Sequence, residues 1–195
     1  PGFIAQHDHP LLAALTMTSE IIAIEDWVLP QGTSPAAKDH ADYLRKLATA
    51  EARLKDPDAV LLTWGYHQYF HGPLQKLELD AISAARPIIV WHRSAHEFFL
   101  HSAALRLMKI DDALVKTFGK SAQEQLDLAK GHFFEQGGMA ILPNITLACE
   151  PGAFLSKPLQ DAINAVYSDD ATPFNHCFIG DGKSFHAIKP NDATS

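Results

Sequence analysis

Two apolar stretches decide which fold this sequence can form: AVLLTWGY at residues 59–66 and PIIVWH at residues 87–92. Both are rich in β-branched and aromatic residues, which is typical of buried strands. Between them, HQYFHGP at 67–73 predicts a loop and LELDAIS at 77–83 predicts one helical turn. A helical connection between two such strands is typical of a parallel sheet, so the sequence predicts an α/β fold.

A long helix is predicted before the first of these strands. Ser34 is suited to cap it, Pro35 suits its first turn, and Asp56 with Pro57 should end it. Its buried stripe is predicted from four apolar residues at helical spacing, namely Ala37, Ala41, Leu44 and Ala48.

Further elements are predicted after the second strand. SAHE at 94–97 matches a capping box, which predicts a helix over residues 95–108. EQGGM at 135–139 predicts a break in a partly helical stretch, and NITLAC at 144–149 predicts a strand. FNHCFIG predicts a late strand that ends at Gly180. Strands and helices would therefore continue to alternate along the chain.

Composition and charge narrow the function classes. Of 195 residues, 47% are hydrophobic and 20% are charged, so the chain should form an ordinary buried core. The formal net charge is -7 and no basic stripe is present, which argues against nucleic acid as a partner. No apolar run reaches the length of a membrane span and no signal peptide is visible, so we expect no membrane partner. Two cysteines fit a reducing compartment and predict a cytoplasmic location.

A candidate metal-binding pair lies in the first ten residues, PGFIAQHDHP. If these residues form a strand, His7 and His9 project from the same face and can donate two imidazole nitrogens to one metal ion. The alternative is a pair of polar residues where a strand gives way to a loop. Because the chain has 11 histidines, such a pair is expected by chance often enough that the residues alone leave both interpretations open.

Several motifs, taken in order, resemble one family of enzymes. PGFIAQHDHP resembles the Pro-Gly-Phe-Ile-x-x-His-x-His stretch that opens the catalytic barrel of the amidohydrolase superfamily. Amidohydrolase family 3, which contains the N-substituted formamide deformylases, carries an insert similar to three further stretches: LLTWGYH, LELDAISAARPIIVWHRSAHEFFLHSAAL and GHFFEQGG. NITLACEPGAF resembles the second barrel strand, so the resemblance covers roughly residues 1–180.

The resemblance implies a partial (β/α)8 metal-dependent hydrolase barrel that carries a mixed α+β insert. Residues 1–20 would form the first barrel strand and its loop, 21–140 the insert, and 141–195 the second and third barrel strands with the intervening helix. The implied enzyme is a metal-dependent amidohydrolase that hydrolyses a non-peptide C–N bond in an amide, formamide or cyclic amide.

The same resemblance assigns the site residues. His7 and His9 would bind a divalent metal, with zinc expected, although Ala5 stands where the superfamily often has aspartate. The catalytic residues would lie beyond Ser195, since such a barrel needs about 250 residues. We therefore expect an N-terminal fragment of the barrel that lacks appreciable activity alone. Because the chain begins at Pro1 rather than at methionine, we also expect sequence upstream.

Substrate contacts are assigned by resemblance to Trp64, His67, Arg93 and His96, which would border the pocket for a small amide-type substrate. The alternative for the histidines is a surface or loop role, and Arg93 could instead pair with Glu97 at the start of its helix. The alternative function is a non-catalytic α/β interaction module derived from that family, which would pair its sheet edges with another chain. A homo-oligomer is compatible with either function.

Overall fold

The computed structural model describes residue 16, residues 18–29, 32–56 and 58–149, apart from the side chains of 146 and 147, and the backbone of 177–180 and 185–188. The chain divides into two compact units, one formed by Ser19–Cys149 and the other by Pro1–Thr18 together with Glu150–Ser195.

The larger unit is built on a mixed sheet. Its strands are β1 (Glu20–Ile21), β2 (Trp27–Leu29), β3 (Gly32–Ser34), β4 (Leu61–Tyr66), β5 (Ile88–His92), β6 (Glu97–Leu100), β7 (Leu126–Asp127) and β8 (His132–Phe134). Six of them form a sheet in the order β1–β4–β5–β6–β8–β7, while β2 and β3 form a separate antiparallel pair. The β1–β4 and β4–β5 pairs are parallel, and the remaining pairs of the sheet are antiparallel.

Helices connect these strands. They are α1 (His40–Arg53), α2 (Gln68–His71), α3 (Lys76–Ile82), α4 (Ser102–Leu107), α5 (Asp112–Val115), α6 (Lys120–Glu124) and α7 (Gln136–Cys149). All five residues of β5 are buried, as expected of a central strand that is covered on both faces. The main core cluster joins Tyr43 and Leu47 of α1 with Ile88 and Val90 of β5.

The central strand predictions are confirmed. The stretches predicted at 59–66 and 87–92 contain β4 (Leu61–Tyr66) and β5 (Ile88–His92), and these two strands pair in parallel, as the helical connection between them predicts. In the smaller unit, Cys177–Gly180 forms a strand that pairs antiparallel with Phe185–Ile188, so the strand predicted to end at Gly180 is also confirmed. The fold is mixed α/β; a closed barrel is not seen in the part of the chain that the structure describes.

The start and buried face of α1 differ from the prediction. Asp39 caps the helix, because its carboxylate accepts the Asp42 N–H at 2.8 Å, whereas Ser34 lies in β3 and its hydroxyl donates to the carbonyl of Ile21. The later start changes which face is buried. The buried side chains are Tyr43, Leu47 and Ala50, while Ala41 and Ala48 of the predicted stripe are exposed.

The helix predicted over residues 95–108 was wrong in its first half. Residues 93–96 form a turn, and Phe98 and Phe99 belong to β6, which pairs with β5 on one side and β8 on the other. Pairing with both strands outweighs the local capping pattern of 94–97, and only Ser102–Leu107 is helical. A capping box does form elsewhere, at the start of α3.

The predictions for residues 135–149 were also wrong. Helix α7 begins within EQGGM and continues through NITLAC, so the second barrel strand predicted at 144–149 is a helix. Gly137 permits a close helix contact rather than a break, since a Cβ there would lie 2.1 Å from the Gln125 carbonyl oxygen. The helix buries Ile141 and Ile145, which lie one turn apart on one face.

Candidate functional site

The three parallel strands of the larger unit end on the same edge of the sheet. Glu25 follows β1, His67 follows β4, His92 is the last residue of β5 and Arg93 comes directly after it. In open α/β sheets, ligands bind outside the carboxyl ends of the strands. These four side chains, here called the carboxyl-edge cluster, therefore form the candidate site.

A glycine shapes the end of β4. The β4–β5 register shifts between Trp64 and Tyr66, which places Tyr66 opposite His92. Gly65, at the shift, has φ 112°, and a Cβ there would lie 2.8 Å from the Ile22 carbonyl oxygen. Only glycine accommodates both the backbone conformation and this close approach. Such irregularities redirect side chains at strand ends, and this one sets the direction in which the chain leaves β4 at His67.

His92 is the most buried member of the cluster. It is 4% exposed, and its Nδ1 accepts the backbone N–H of Ser94 at 3.0 Å and lies 2.7 Å from the Ser94 hydroxyl. Burial lowers the pKa of His92 to about 4; His67 and Arg93 contribute to that shift and Glu97 opposes it. The ring is therefore neutral at pH 7. Since Nδ1 accepts a backbone N–H, the proton of the neutral ring is on Nε2.

His67 lies against His92. The two ring centroids are 4.7 Å apart, and the His67 side chain is half-buried. His67 caps α2, because its Nδ1 accepts the Tyr69 N–H at 3.1 Å. In its neutral form this ring also carries its proton on Nε2. The two histidines thus present N–H groups rather than lone pairs on their Nε2 atoms.

Arg93 crosses the sheet edge to Glu25. Its Nη2 lies 2.9 Å and its Nη1 3.2 Å from the two carboxylate oxygens, a bidentate ion pair. The pair spans β4, because β1 and β5 lie on opposite sides of that strand. The alternative pairing of Arg93 with Glu97 was wrong, since no helix begins there and Glu97 accepts from His132 Nε2 at 3.1 Å.

The other two predicted pocket residues lie differently. Trp64 is half-buried and its ring meets that of Trp27 edge-on, with centroids 5.2 Å apart. His96 has 61% of its side chain exposed and binds Glu135, with 2.9 Å between Nδ1 and the carboxylate. The structure brings His67 and Arg93 together with His92, and it places His96 in a surface ion pair.

Two members of the cluster were missed in the sequence. His92 ends a strand that was predicted correctly, and Glu25 follows β1. A parallel sheet places both positions at its carboxyl edge, so the strand prediction at 87–92 held the signal for His92.

The described residues do not form a metal centre. Among them, no three histidine, cysteine, aspartate or glutamate side chains are grouped so that they could hold a metal ion. His67 and His92 would have to give up their backbone hydrogen bonds before Nε2 could offer a lone pair. His7 and His9 lie outside the described residues, so their assignment stays a prediction. No helix in the described part is long and apolar enough to cross a membrane.

Comparisons with known proteins identify a similar fold but no matching family. No family model matches the sequence, and no curated protein matches it. Among solved structures, an uncharacterized metal-dependent hydrolase from Pyrococcus horikoshii OT3 matches with a TM-score of 0.57 and 15% identity, over 85% of this chain and 28% of that chain. An uncharacterized metal-dependent hydrolase from Pyrococcus furiosus matches with a TM-score of 0.50 and 14% identity, over 86% and 29%.

These matches define a class of fold. The chain spans less than a third of the length of either hydrolase. At such low identities the likeness concerns the fold alone, so the chain shares the fold of part of a metal-dependent hydrolase.

Proposed function

We propose that this chain supplies a substrate-binding part of a metal-dependent amidohydrolase, which hydrolyses a non-peptide C–N bond in an amide, formamide or cyclic amide. The observation that carries the proposal is the carboxyl-edge cluster, where a buried neutral histidine, a second histidine and an ion-paired arginine meet at the end of parallel strands. The fold likeness to two metal-dependent hydrolases supports the class of enzyme. The motifs of amidohydrolase family 3 support the C–N bond.

In this proposal His67, Arg93 and Trp64 bind substrate. His67 contributes an N–H at a site flanked by the exposed aromatic side chains of α2, since Phe70 lies 5.4 Å from its ring. The assignment of His96 has less support, because its imidazole is occupied by Glu135 on the surface. The substrate is a small amide-type molecule.

The metal is assigned to His7 and His9, with zinc expected. The donor set of the described residues does not fit a metal. The assignment is tested by measuring zinc content after dialysis, by elemental analysis, in the chain and in the variants His7→Ala and His9→Ala. We expect both variants to lose zinc, while Glu135→Gln, a surface change, keeps it. Zinc retained in both histidine variants would refute the ligand assignment.

Hydrolysis tests the function itself. The product of the whole coding frame should release amine from a panel of amides, formamides and cyclic amides, and a chelator should abolish the release. The 195-residue chain alone should show no appreciable turnover. Absence of chelator-sensitive turnover by the whole product would refute the function. Turnover by the 195 residues alone would refute the expectation that the catalytic residues lie beyond Ser195.

The alternative is an interaction module that pairs sheet edges with a partner chain. The strands that end the described six-stranded sheet, β1 and β7, are two residues long each. Short edge strands offer few free backbone groups for pairing, so they give this alternative little support. A homo-oligomer and a cytoplasmic location stay proposals, to be tested by sedimentation and by cell fractionation.

A further inference from the structure

The described part of the chain contains three histidines that are almost completely buried: His71, His92 and His101, with 0%, 4% and 1% exposure. In each of them Nδ1 accepts a backbone N–H. The donors are the backbone N–H groups of His67 for His71, Ser94 for His92 and Ala103 for His101, at distances of 3.1, 3.0 and 2.9 Å. When neutral, each ring therefore carries its proton on Nε2 and offers it as a donor.

The three rings differ in what their Nε2–H groups meet. His71 donates to the Ala37 carbonyl at 3.0 Å, and His101 donates to the Ser83 carbonyl at 2.7 Å. The Nε2 of His92 is buried and has no hydrogen-bond partner within the described ranges. A buried donor without an acceptor is costly and uncommon, and one at the carboxyl edge of parallel strands suggests a ligand that supplies the acceptor.

The charges near His92 indicate what kind of acceptor this is. Four groups act electrostatically on its ring, namely Glu97, Arg93 and the histidines His67 and His132. Arg93 is already neutralised by the bidentate pair with Glu25, and Glu97 carries its own negative charge. An anion would approach Glu97 without an unpaired cation to receive it, whereas a neutral carbonyl oxygen accepts from the N–H without that repulsion.

We propose that His92 donates its Nε2–H to a neutral carbonyl oxygen of a bound ligand, such as the oxygen of an amide. This inference rests on the proposed amidohydrolase function and names the ligand group that this part of its site binds. His67 is half-buried, and its ring centroid lies 4.7 Å from that of His92, so it flanks this donor. His92 acts as a binding residue here, and no proton leaves it.

Benzamide and benzoate provide a matched test, because they share a ring and differ in whether the acceptor is neutral or charged. Each is titrated into metal-free protein with ¹⁵N-labelled histidine, and the Nε2–H signal of His92 is followed by NMR. We expect benzamide to shift this signal and benzoate to bind more weakly. Because this binding assay uses metal-free protein, failure of hydrolysis would refute the proposed function without changing the outcome of the benzamide titration.

Variants distinguish the loss of the His92 hydrogen-bond donor from a loss of folded structure. His92→Phe should weaken benzamide binding about fivefold to tenfold, the value of one hydrogen bond between neutral groups. His92→Gln, which keeps a side-chain N–H, should recover most of the affinity. His101→Gln, at the residue whose backbone N–H donates to the carbonyl of Ile88 at the start of β5, should leave it unchanged. Unchanged affinity in His92→Phe, tighter binding of benzoate than of benzamide, or no benzamide binding by the wild-type chain would each overturn the inference.

Discussion

Replacing Gly65 with alanine tests whether the end of β4 is built around a glycine. Gly65 has φ 112°, a conformation that L-residues adopt at a cost of about 1–3 kcal/mol. The added Cβ would also lie 2.8 Å from both the Ile22 carbonyl oxygen and the Ala23 Cβ. Because these neighbours are backbone and a Cβ, they cannot rotate away, and overpacking adds about 1–3 kcal/mol. We expect Gly65→Ala to lower the free energy of unfolding by about 2–6 kcal/mol.

Alanine variants of two other glycines distinguish the cost of backbone strain from the cost of overpacking. Gly32 has φ 138° but nothing within 4 Å of an added Cβ, so Gly32→Ala should cost only the backbone strain of about 1–3 kcal/mol. Gly119 has neither a positive φ nor a neighbour within 4 Å, and its alanine variant should stay within about 0.5 kcal/mol of wild type. Urea unfolding followed by circular dichroism measures all three.

The refuting result is defined by the order of the three variants. If Gly65→Ala is no less stable than Gly32→Ala, the close approach to Ile22 and Ala23 carries no energetic weight and the argument for this glycine fails. The site offers a second readout, because the shift at Gly65 sets Tyr66 opposite His92. A folded Gly65→Ala variant should show changed His92 ring signals in ¹⁵N NMR spectra.

Three further predictions concern buried polar groups. His101→Phe should lose about 2–3 kcal/mol in urea unfolding, since it leaves two backbone partners without their hydrogen bonds, whereas His92→Phe leaves only the Ser94 N–H and hydroxyl without theirs and should lose less. Arg86, 7% exposed, donates to three backbone carbonyls and a carboxylate, so Arg86→Met should lose about 3–5 kcal/mol and Arg86→Lys should not restore it. Burial lowers the pKa of both His71 and His92, to about 4 for His92, so the unfolded chain binds more protons than the folded chain as pH falls below 6.5. The free energy of unfolding should therefore decline from pH 6.5 towards pH 4, and it should decline less steeply in His92→Phe. An equal slope in that variant would contradict the assignment.

The sequence predicts the centre of the sheet because β4 and β5 are buried by their own composition. Their apolar runs need no partner information to be recognised, and the turn residues at their ends bound them. The start of α1 was harder, since Ser34 and Asp39 are both residues that cap helices. What separates them is a contact far along the chain, the hydrogen bond from the Ser34 hydroxyl to the Ile21 carbonyl. Such a contact leaves no local pattern.

The errors at residues 94–108 and 144–149 also have a non-local cause. Phe98 and Phe99 become strand residues because β5 and β8 lie on either side of them, and β8 is about 35 residues away along the chain. In NITLAC the β-branched residues favour a strand locally, but Ile145 continues the buried face that Ile141 begins on α7. In both cases packing outweighs intrinsic preference, which is a weak signal over short stretches.

Two residues of the candidate site were predicted from motifs, and the strand prediction located a third, His92, at the same edge of the sheet. His67 and Arg93 stand in stretches that resemble the family insert, and the structure places them together. His92 and Glu25 gain their meaning from the fold, one from an N–H without an acceptor in the described part and the other from an ion pair across β4. Neither property can be derived from residue type or spacing.

The protonation of the buried rings separates two tasks that histidine can perform. A ring whose Nδ1 is held by a backbone N–H is fixed as a donor at Nε2, and four histidines of the larger unit, including His67 and His92, are held in this way. Such rings are suited to bind carbonyl oxygens and unsuited to bind a metal through Nε2. The proposed hydrolase therefore needs metal ligands of another origin, and this is why zinc retention in His7→Ala and His9→Ala weighs more heavily than any change within the carboxyl-edge cluster. Loss of zinc from a variant of His67 or His92 would contradict the protonation argument directly.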